Sequence, residues 1–307
     1  MSVYRHHLLG TSASNFESVS GAYKIDILIT VHDALNFAKV TLERLERFTG
    51  TSIQSYIVIN DGSLQTTTSW LLSYSQDKQA FQLVEFNANK GYTRSLNFGV
   101  RISSGDYLVI MNSDVLVSAG WLDGMLECMH SFSEAGIVGP LSNAGGFQSV
   151  PALYGKGGDF AVNIIPQGLN VDTISSGVRN VSEGACLPVE LVNGFLYMVK
   201  KYVFETIGLY DTERFAVGYG EEDDFCLRAR SAGFTILVSE SVYVYHFKSK
   251  SFGKARRSVL LRQGIETNFK KHSRQKVVAM WRNMSKLQAL QEVRARICKS
   301  LYQGVGC

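Results

Sequence analysis

Apolar residues in this chain fall first into short unbroken runs and then into helical stripes, and the two alternate. Ile25 to Val31, preceded by Lys24, is β-branched and only briefly interrupted, which predicts a buried strand. Residues 34–48 carry Leu35, Ala38, Leu42, Leu45 and Phe48 at helical spacing. Strands are expected next at 54–60, 81–86, 106–111 and 136–139, with helices at 65–75, 91–104 and 119–132. This alternation predicts an α/β fold with a mostly parallel, Rossmann-like sheet and helices on both faces.

The pattern breaks after Pro140. Residues 141–188 are rich in Gly, Ser, Asn and Pro, and a segment this long suggests a lid or substrate-binding insertion with some short structure. Order returns with an expected strand at 190–200, a helix near 202–207, an acidic helix from Glu222, and strands at 234–238 and 242–245. From Ala255 the pattern is helical and basic: between Lys248 and Lys299 the only acidic residues are Glu266 and Glu292.

Composition narrows the class. At 307 residues, 45% hydrophobic and 19% charged, the chain reads as an ordinary globular protein, and a net charge of +4 gives no reason to invoke nucleic acid. Five scattered cysteines form no Cys-x-x-Cys pair, so neither a zinc site nor a disulfide framework is expected, and reduced thiols in the cytoplasm are the simplest reading. No stretch reaches membrane-spanning length, and residues 1–22, with Arg5, His6 and His7, lack a signal-peptide core and read as a flexible leader.

The chemistry concentrates at predicted strand ends, where open α/β sheets place ligands. Glu221, Glu222, Asp223 and Asp224 open a helix, where the macrodipole favours negative charge but four adjacent carboxylates repel. Such a cluster is either a solvated acidic helix start or a site. Val31 and Asp33 end the first strand, where they line a pocket or, for Asp33, cap a helix. Asp61 in Asn60-Asp61-Gly62-Ser63 is a ribose or base acceptor or part of a turn. Lys90 and Arg94 offer positive charge to phosphates. Asn112, Ser113 and Asp114 follow the most hydrophobic strand, and a carboxylate there suits Mg2+ or Mn2+. His246 ends the last strand, ahead of a Lys- and Ser-rich loop to Gly253 suited to closing over phosphates.

In order along the chain, Thr30-Val31-His32-Asp33-Ala34, Val58 to Ser63, Asn89-Lys90-Gly91-Tyr92, Met111-Asn112-Ser113-Asp114, Val192-Asn193-Gly194-Phe195, Gly220 to Arg230 and His246 to Gly253 resemble the family-2 glycosyltransferases of GT-A fold. The likeness covers about residues 24–253 and is most like the bacterial rhamnosyl- and galactofuranosyl-type branch that builds surface polysaccharides, O-antigen among them. It implies an inverting transfer from a nucleotide-sugar donor to a glycan or lipid-linked glycan acceptor. It implies a nucleotide-binding half at about 23–140 and an acceptor or lid half at about 141–253, with 254–307 as a basic helical extension. By position, Val31 and Asp33 would border the base and Asp61 would bond it. Lys90 and Arg94 would lie near ribose and phosphates. Asp114 would hold a divalent cation (Mn2+ or Mg2+) with His246. Asn112 stands where the family's Asp-x-Asp motif has its first aspartate. Ser113, Asn193 and Gly194 would line the sugar site. Glu222 would be the catalytic base, with Glu221 and Asp224 as alternates.

A sugar nucleotidyltransferase would need a Gly-rich phosphate loop after the first strand, which this chain lacks. A non-catalytic nucleotide-sugar- or carbohydrate-binding domain would be expected to lose Asp114 or the Glu222 cluster, and both are present. The basic extension, with Val259, Leu260, Leu261, Phe269, Val277, Val278, Met280, Trp281, Leu287 and Leu290, either docks on an anionic membrane face or partner domain, or packs back on the catalytic domain.

Overall fold

The computed structural model describes residues 23–50, 53–248 and 254–302. The proposed leader and the loop 249–253 lie outside these residues. The first half alternates as expected: β1 (Ile25–Val31), α1 (Leu35–Thr49), β2 (Ser55–Asp61), α2 (Gln65–Ser75), β3 (Phe81–Phe86), α3 (Tyr92–Ile102) and β4 (Tyr107–Asn112). Then come β5 (Val115–Leu116), α4 (Trp121–His130), β6 (Ala135–Ser142), α5 (Val171–Val181), β7 (Cys186–Val189), β8 (Leu196–Lys200), α6 (Lys201–Ile207), α7 (Glu221–Ser231) and β9 (Thr235–His246). Three helices finish the chain: α8 (Lys254–His272), α9 (Arg274–Lys286) and α10 (Gln288–Leu301).

The strands form one nine-stranded sheet in the order β3-β2-β1-β4-β8-β6-β9-β5, with β7 alongside β9. β3, β2, β1 and β4 are parallel. β8 runs antiparallel between β4 and β6, and β5 and β7 pair antiparallel with β9. The sheet is therefore mixed: β3, β2, β1 and β4 keep the expected parallel order, β6 and β9 are parallel as well, and β8, β5 and β7 run against their neighbours.

β1 shows why both faces are covered. Ile25, Ile27, Ile29 and Val31 point into one core with Ala38, Leu42 and Leu45 of α1. Leu28 points into the other, with Leu96 and Val100 of α3. A strand buried on both faces reads as a continuous apolar run.

Three expectations change. The segment 141–188 contains a 3-10 turn at 146–148, α5 and β7, and every residue from 141 to 150 is buried. Its low periodicity reflects burial through Ser, Asn and Gln side chains bonded to backbone, such as Gln148 to the Pro140 carbonyl at 2.6 Å. The two strands expected at 234–238 and 242–245 are one 12-residue strand, irregular opposite Pro140/Leu141. Cys298 is disulfide-bonded, so the thiols are not uniformly reduced. Sequence scatter could not show this, since pairing depends on tertiary proximity.

The C-terminal helices pack back onto the core. Val277, Met280, Met284, Leu290, Val293 and Ile297 are fully buried on the α3–α7 side of the sheet. Val259 and Leu261 of α8 remain exposed. Among the described residues no helix is long and apolar enough to cross a membrane.

Candidate active site

The parallel register carries the C-terminal ends of β1, β2 and β4 to one edge: Val31 opposes Asn60, and Thr30 opposes Asn112. This is where the strand order turns back, the position at which open sheets hold ligands. Asp33 and Ala34 both take left-handed backbone (φ 56° and 51°). Asp33 does not cap α1. Its amide donates to Ser63 Oγ at 2.9 Å and its Oδ1 accepts from the Leu64 amide at 2.7 Å, tying the β1 and β2 ends together.

Asp61 is buried and accepts from the amides of Lys90 (2.6 Å) and Gly91 (3.1 Å). Its carboxylate thus clamps the loop that leads into α3. A methyl group at Gly62 would overlap the backbone of Ala88 and Asn89, so only glycine admits this crossing. The Lys90 and Arg94 side chains are exposed at the rim, and Arg94 donates to the Lys90 carbonyl at 3.3 Å.

β5 pairs with the end of β9, Val115 opposite His246, and so brings the residue before Val115 beside the histidine. His246 Nε2 lies 3.3 Å from Asp114 Oδ1. Its Nδ1 meets the Ala144 carbonyl at 3.1 Å, and its ring stacks on Phe195 with centroids 5.2 Å apart. A carbonyl that takes the Nδ1 proton leaves the Nε2 lone pair facing Asp114, which is the orientation a metal-ligating histidine requires. Asp114 and His246 Nε2 are the two side chains that would hold a divalent cation here, and their oxygen and imidazole donors suit one. Among the described residues no group of three or more His, Cys, Asp or Glu side chains is gathered for a metal. Lys248, in left-handed backbone (φ 51°), adds a charge that interacts with Asp114; burial, then Arg257, pushes its ammonium below the usual range. Ser113 stands between the two groups, its carbonyl tied to Thr41 of α1 at 3.0 Å.

Tyr92 joins the metal-side residues to the acidic helix. Its hydroxyl is 3.1 Å from Asn112 Oδ1 and 3.2 Å from the Gly194 carbonyl. Burial, then Glu221, Glu222 and Asp114, raises its phenol well above the usual range and keeps it a donor. Asn193 is held by its amide on Gln148 Oε1 at 2.6 Å. A methyl group at Gly194 would meet Glu222 Cβ at 3.8 Å, so the loop and the acidic helix are neighbours.

The four carboxylates at the start of α7 have different surroundings. Asp224 is fully buried and ion-paired to Arg228 (2.9 Å), Lys271 (2.8 Å) and His272 (2.6 Å). Burial would raise its carboxyl, but Arg228, Lys271 and His272 outweigh that and hold it low. Asp223 accepts the Trp281 indole N–H at 2.8 Å; burial, then Glu222, pushes its carboxyl up to about 8. Glu221 is buried with Oε2 unpartnered, and burial, then Glu222, raises it well above the usual range. Glu222 is half-buried and accepts from the Gly220 amide at 3.1 Å.

The fold therefore gathers Val31, Asp33, Asp61, Lys90 and Arg94 on one wall. Asn112, Ser113, Asp114 and His246 form the centre, and Asn193, Gly194, Glu221 and Glu222 the other wall. Asp224 faces away, into its ion pairs. Sequence reading missed Tyr92, Gln148 and Arg294 as supports. Arg294 is buried on α10 and donates to the carbonyls of Phe147 (2.6 Å) and Ser149 (3.0 Å), fixing the turn that carries Gln148. Only the polar residues Gln148 and Arg294 within otherwise buried patterns could have flagged it.

Residues 26–148 match the family model Glycosyl transferase family 2. An uncharacterized glycosyltransferase of Haemophilus influenzae is 23% identical over 145 residues, 42% of this chain and 45% of that protein. The poly-β-1,6-N-acetyl-D-glucosamine synthase of Staphylococcus epidermidis is 21% identical over 184 residues, 60% of this chain and 39% of that protein. The chain thus spans less than half the length of these two curated relatives. Among solved structures, a mannosyltransferase from Pyrobaculum calidifontis in complex with GDP-Man and Mn2+ superposes with a TM-score of 0.61 at 13% identity, covering 93% of this chain and 76% of that one. S. aureus TarS superposes with a TM-score of 0.52 at 12% identity, covering 92% of each. The chain has a GT-A-like fold, and the family match over its first half supports a glycosyltransferase of the family-2 kind.

Proposed function

We propose that this protein is an inverting glycosyltransferase that moves a hexosyl or deoxyhexosyl group, of the rhamnosyl or galactofuranosyl type, from a nucleoside-diphosphate sugar to a glycan or lipid-linked glycan in bacterial surface polysaccharide synthesis. The observation that carries the reading is the placement of half-buried Glu222 beside Gly194, across the Tyr92–Asn112 bridge from the Asp114–His246 pair. The nucleotide lies over the ends of β1 and β2, between Val31, Asp33, Asp61 and the Lys90–Arg94 rim, in the half 23–140. The acceptor enters from the half 141–253.

Asp114 and His246 Nε2 hold a divalent cation, which when bound supplies counter-charge to the diphosphate leaving group. Lys90, Arg94 and Lys248 add positive charge near the phosphates. Glu222 takes the proton of the acceptor hydroxyl as that oxygen attacks the anomeric carbon and the diphosphate departs from the opposite face. A general base must reach its proton at hydrogen-bond distance. Burial, then Glu222, raises the Glu221 carboxyl well above its usual range, which lessens the negative charge it sets beside Glu222. A single displacement needs no enzyme nucleophile.

Arg256, Arg257 and Arg262, exposed on α8 beside Val259 and Leu261, suit peripheral contact with an anionic inner-membrane face. Salt-sensitive co-sedimentation with anionic liposomes supports this contact, and none at low salt rejects it. The transferase reading is tested by a screen of nucleotide sugars that follows nucleoside diphosphate release with and without Mn2+. Acceptor-dependent release from at least one donor is expected, and no release from any donor with a lipid-linked glycan present rejects it.

A further inference from the structure

Three consecutive residues ahead of α7 take positive φ: Gly218 (90°), Tyr219 (68°) and Gly220 (103°). For Tyr219 this conformation is strained and persists only where its surroundings enforce it. The C-terminal helices supply that enforcement. Asn268 of α8 is buried and donates to the Gly220 carbonyl at 2.8 Å. Gly264, one turn earlier, lies against Tyr219, and a methyl group there would overlap the Tyr219 carbonyl oxygen. The peptide unit that Asn268 holds through Gly220 O belongs to the same residue that offers its amide to Glu222 Oε2.

The division of the four carboxylates agrees. A helix turns about 100° per residue, so Asp223 and Asp224 project about 100° and 200° round from Glu222. Trp281 of α9 holds Asp223 at 2.8 Å, and Lys271 and His272 at the end of α8 hold Asp224. With those two fixed on the C-terminal helices, Glu222 is turned toward Gly194.

We propose that α8 and α9 are a frame that aims the catalytic base, with Asn268 and Trp281 as positioning residues acting through Gly220 and Asp223. This rests on the assignment of Glu222 as the base. The C-terminal helices would then be part of the transfer machinery and not a packed appendage.

The test uses the full chain with Asn268→Ala and Trp281→Phe, singly and together, and Arg282→Ala, exposed on the same helix, as the control. Turnover, donor affinity and amide exchange at residues 219–224 are measured for each. The double variant should lose turnover on the order of 10- to 100-fold, the cost of a misplaced catalytic group, with donor affinity unchanged and exchange at 219–224 accelerated. Trp281→His, which keeps an N–H donor, should recover part of the loss. In a Glu222→Gln background the same changes should cost little more, since they act through that residue. Should the double variant fail to fold, Trp281→Phe alone, which keeps the ring, carries the test. Unchanged turnover and exchange, or losses that simply multiply with Glu222→Gln, overturn the frame. Wild-type turnover by Glu222→Gln overturns the base assignment instead, and exchange at 219–224 then decides the frame by itself.

Discussion

The Tyr92 hydroxyl lies within hydrogen-bond reach of both Asn112 Oδ1 and the Gly194 carbonyl, so that α3, the end of β4 and the loop before β8 meet at one phenol. Removing it leaves two half-buried acceptors, Asn112 Oδ1 and the Gly194 carbonyl, without this donor. Tyr92→Phe should lower stability by about 1–3 kcal/mol, measured by chemical denaturation, and reduce turnover by loosening Gly194 beside Glu222. Unchanged stability would mean that these contacts carry no weight.

Asp114 and His246 meet through the β5–β9 pairing, with Nε2 facing the carboxylate. Asp114→Ala should abolish the Mn2+-dependent part of nucleoside-diphosphate binding in calorimetry and leave the fold intact. His246→Ala should weaken the same part of the binding. Metal-dependent binding that survives Asp114→Ala would refute the assignment.

Much of this site could be read from the chain because it sits at strand ends. Asp61, Asn112 and Asp114 each close an apolar run, and register then brings them together. What could not be read depends on distant packing. Nothing in Asn268, His272 or Trp281 shows that they face the acidic helix, because α8 is only weakly amphipathic and its buried Gly264 and Asn268 interrupt the apolar stripe. The ion pairs of Asp224 were hidden for the same reason: Lys271 and His272 come from α8, and only Arg228 lies at a readable helical spacing. The mixed half of the sheet was hidden because strand direction leaves no mark on a short apolar run.

Gly264 shows how close that packing is. Gly264→Ala would put a methyl group into the Tyr219 carbonyl, so α8 or the 218–220 turn must move. A loss of about 1–3 kcal/mol, typical of overpacking, is expected in denaturation curves together with reduced turnover. An alanine variant of wild-type stability would show that α8 does not press on the turn.

Asp223 makes stability depend on pH. Its carboxyl is raised to about 8 by burial and then by Glu222. Between its unfolded value near 3.9 and that folded value, the native state binds the extra proton, so stability from this group is full at low pH and is lost as pH rises toward 8. Asp224 acts oppositely: held low, it contributes stability above the ordinary carboxylate range and loses it in acid. Asp223→Asn should therefore gain thermal stability relative to the wild type progressively from pH 5 to pH 8. A constant difference across that range would contradict the raised carboxyl.

Glu222 is the group proposed to take the acceptor proton. Glu222→Gln keeps the side-chain shape and an acceptor for the Gly220 amide but removes the base. With the donor identified by the screen, single-turnover transfer and donor affinity should be measured side by side for wild type, Glu222→Gln, Glu221→Gln and Asp224→Asn. Glu222→Gln should keep donor affinity while losing transfer by roughly 10²–10⁴-fold, the range of a general base, with Glu221→Gln still active and Asp224→Asn, which loosens the ion pairs to α8, losing less than Glu222→Gln. Full transfer by Glu222→Gln, with Glu221→Gln inactive, would contradict it.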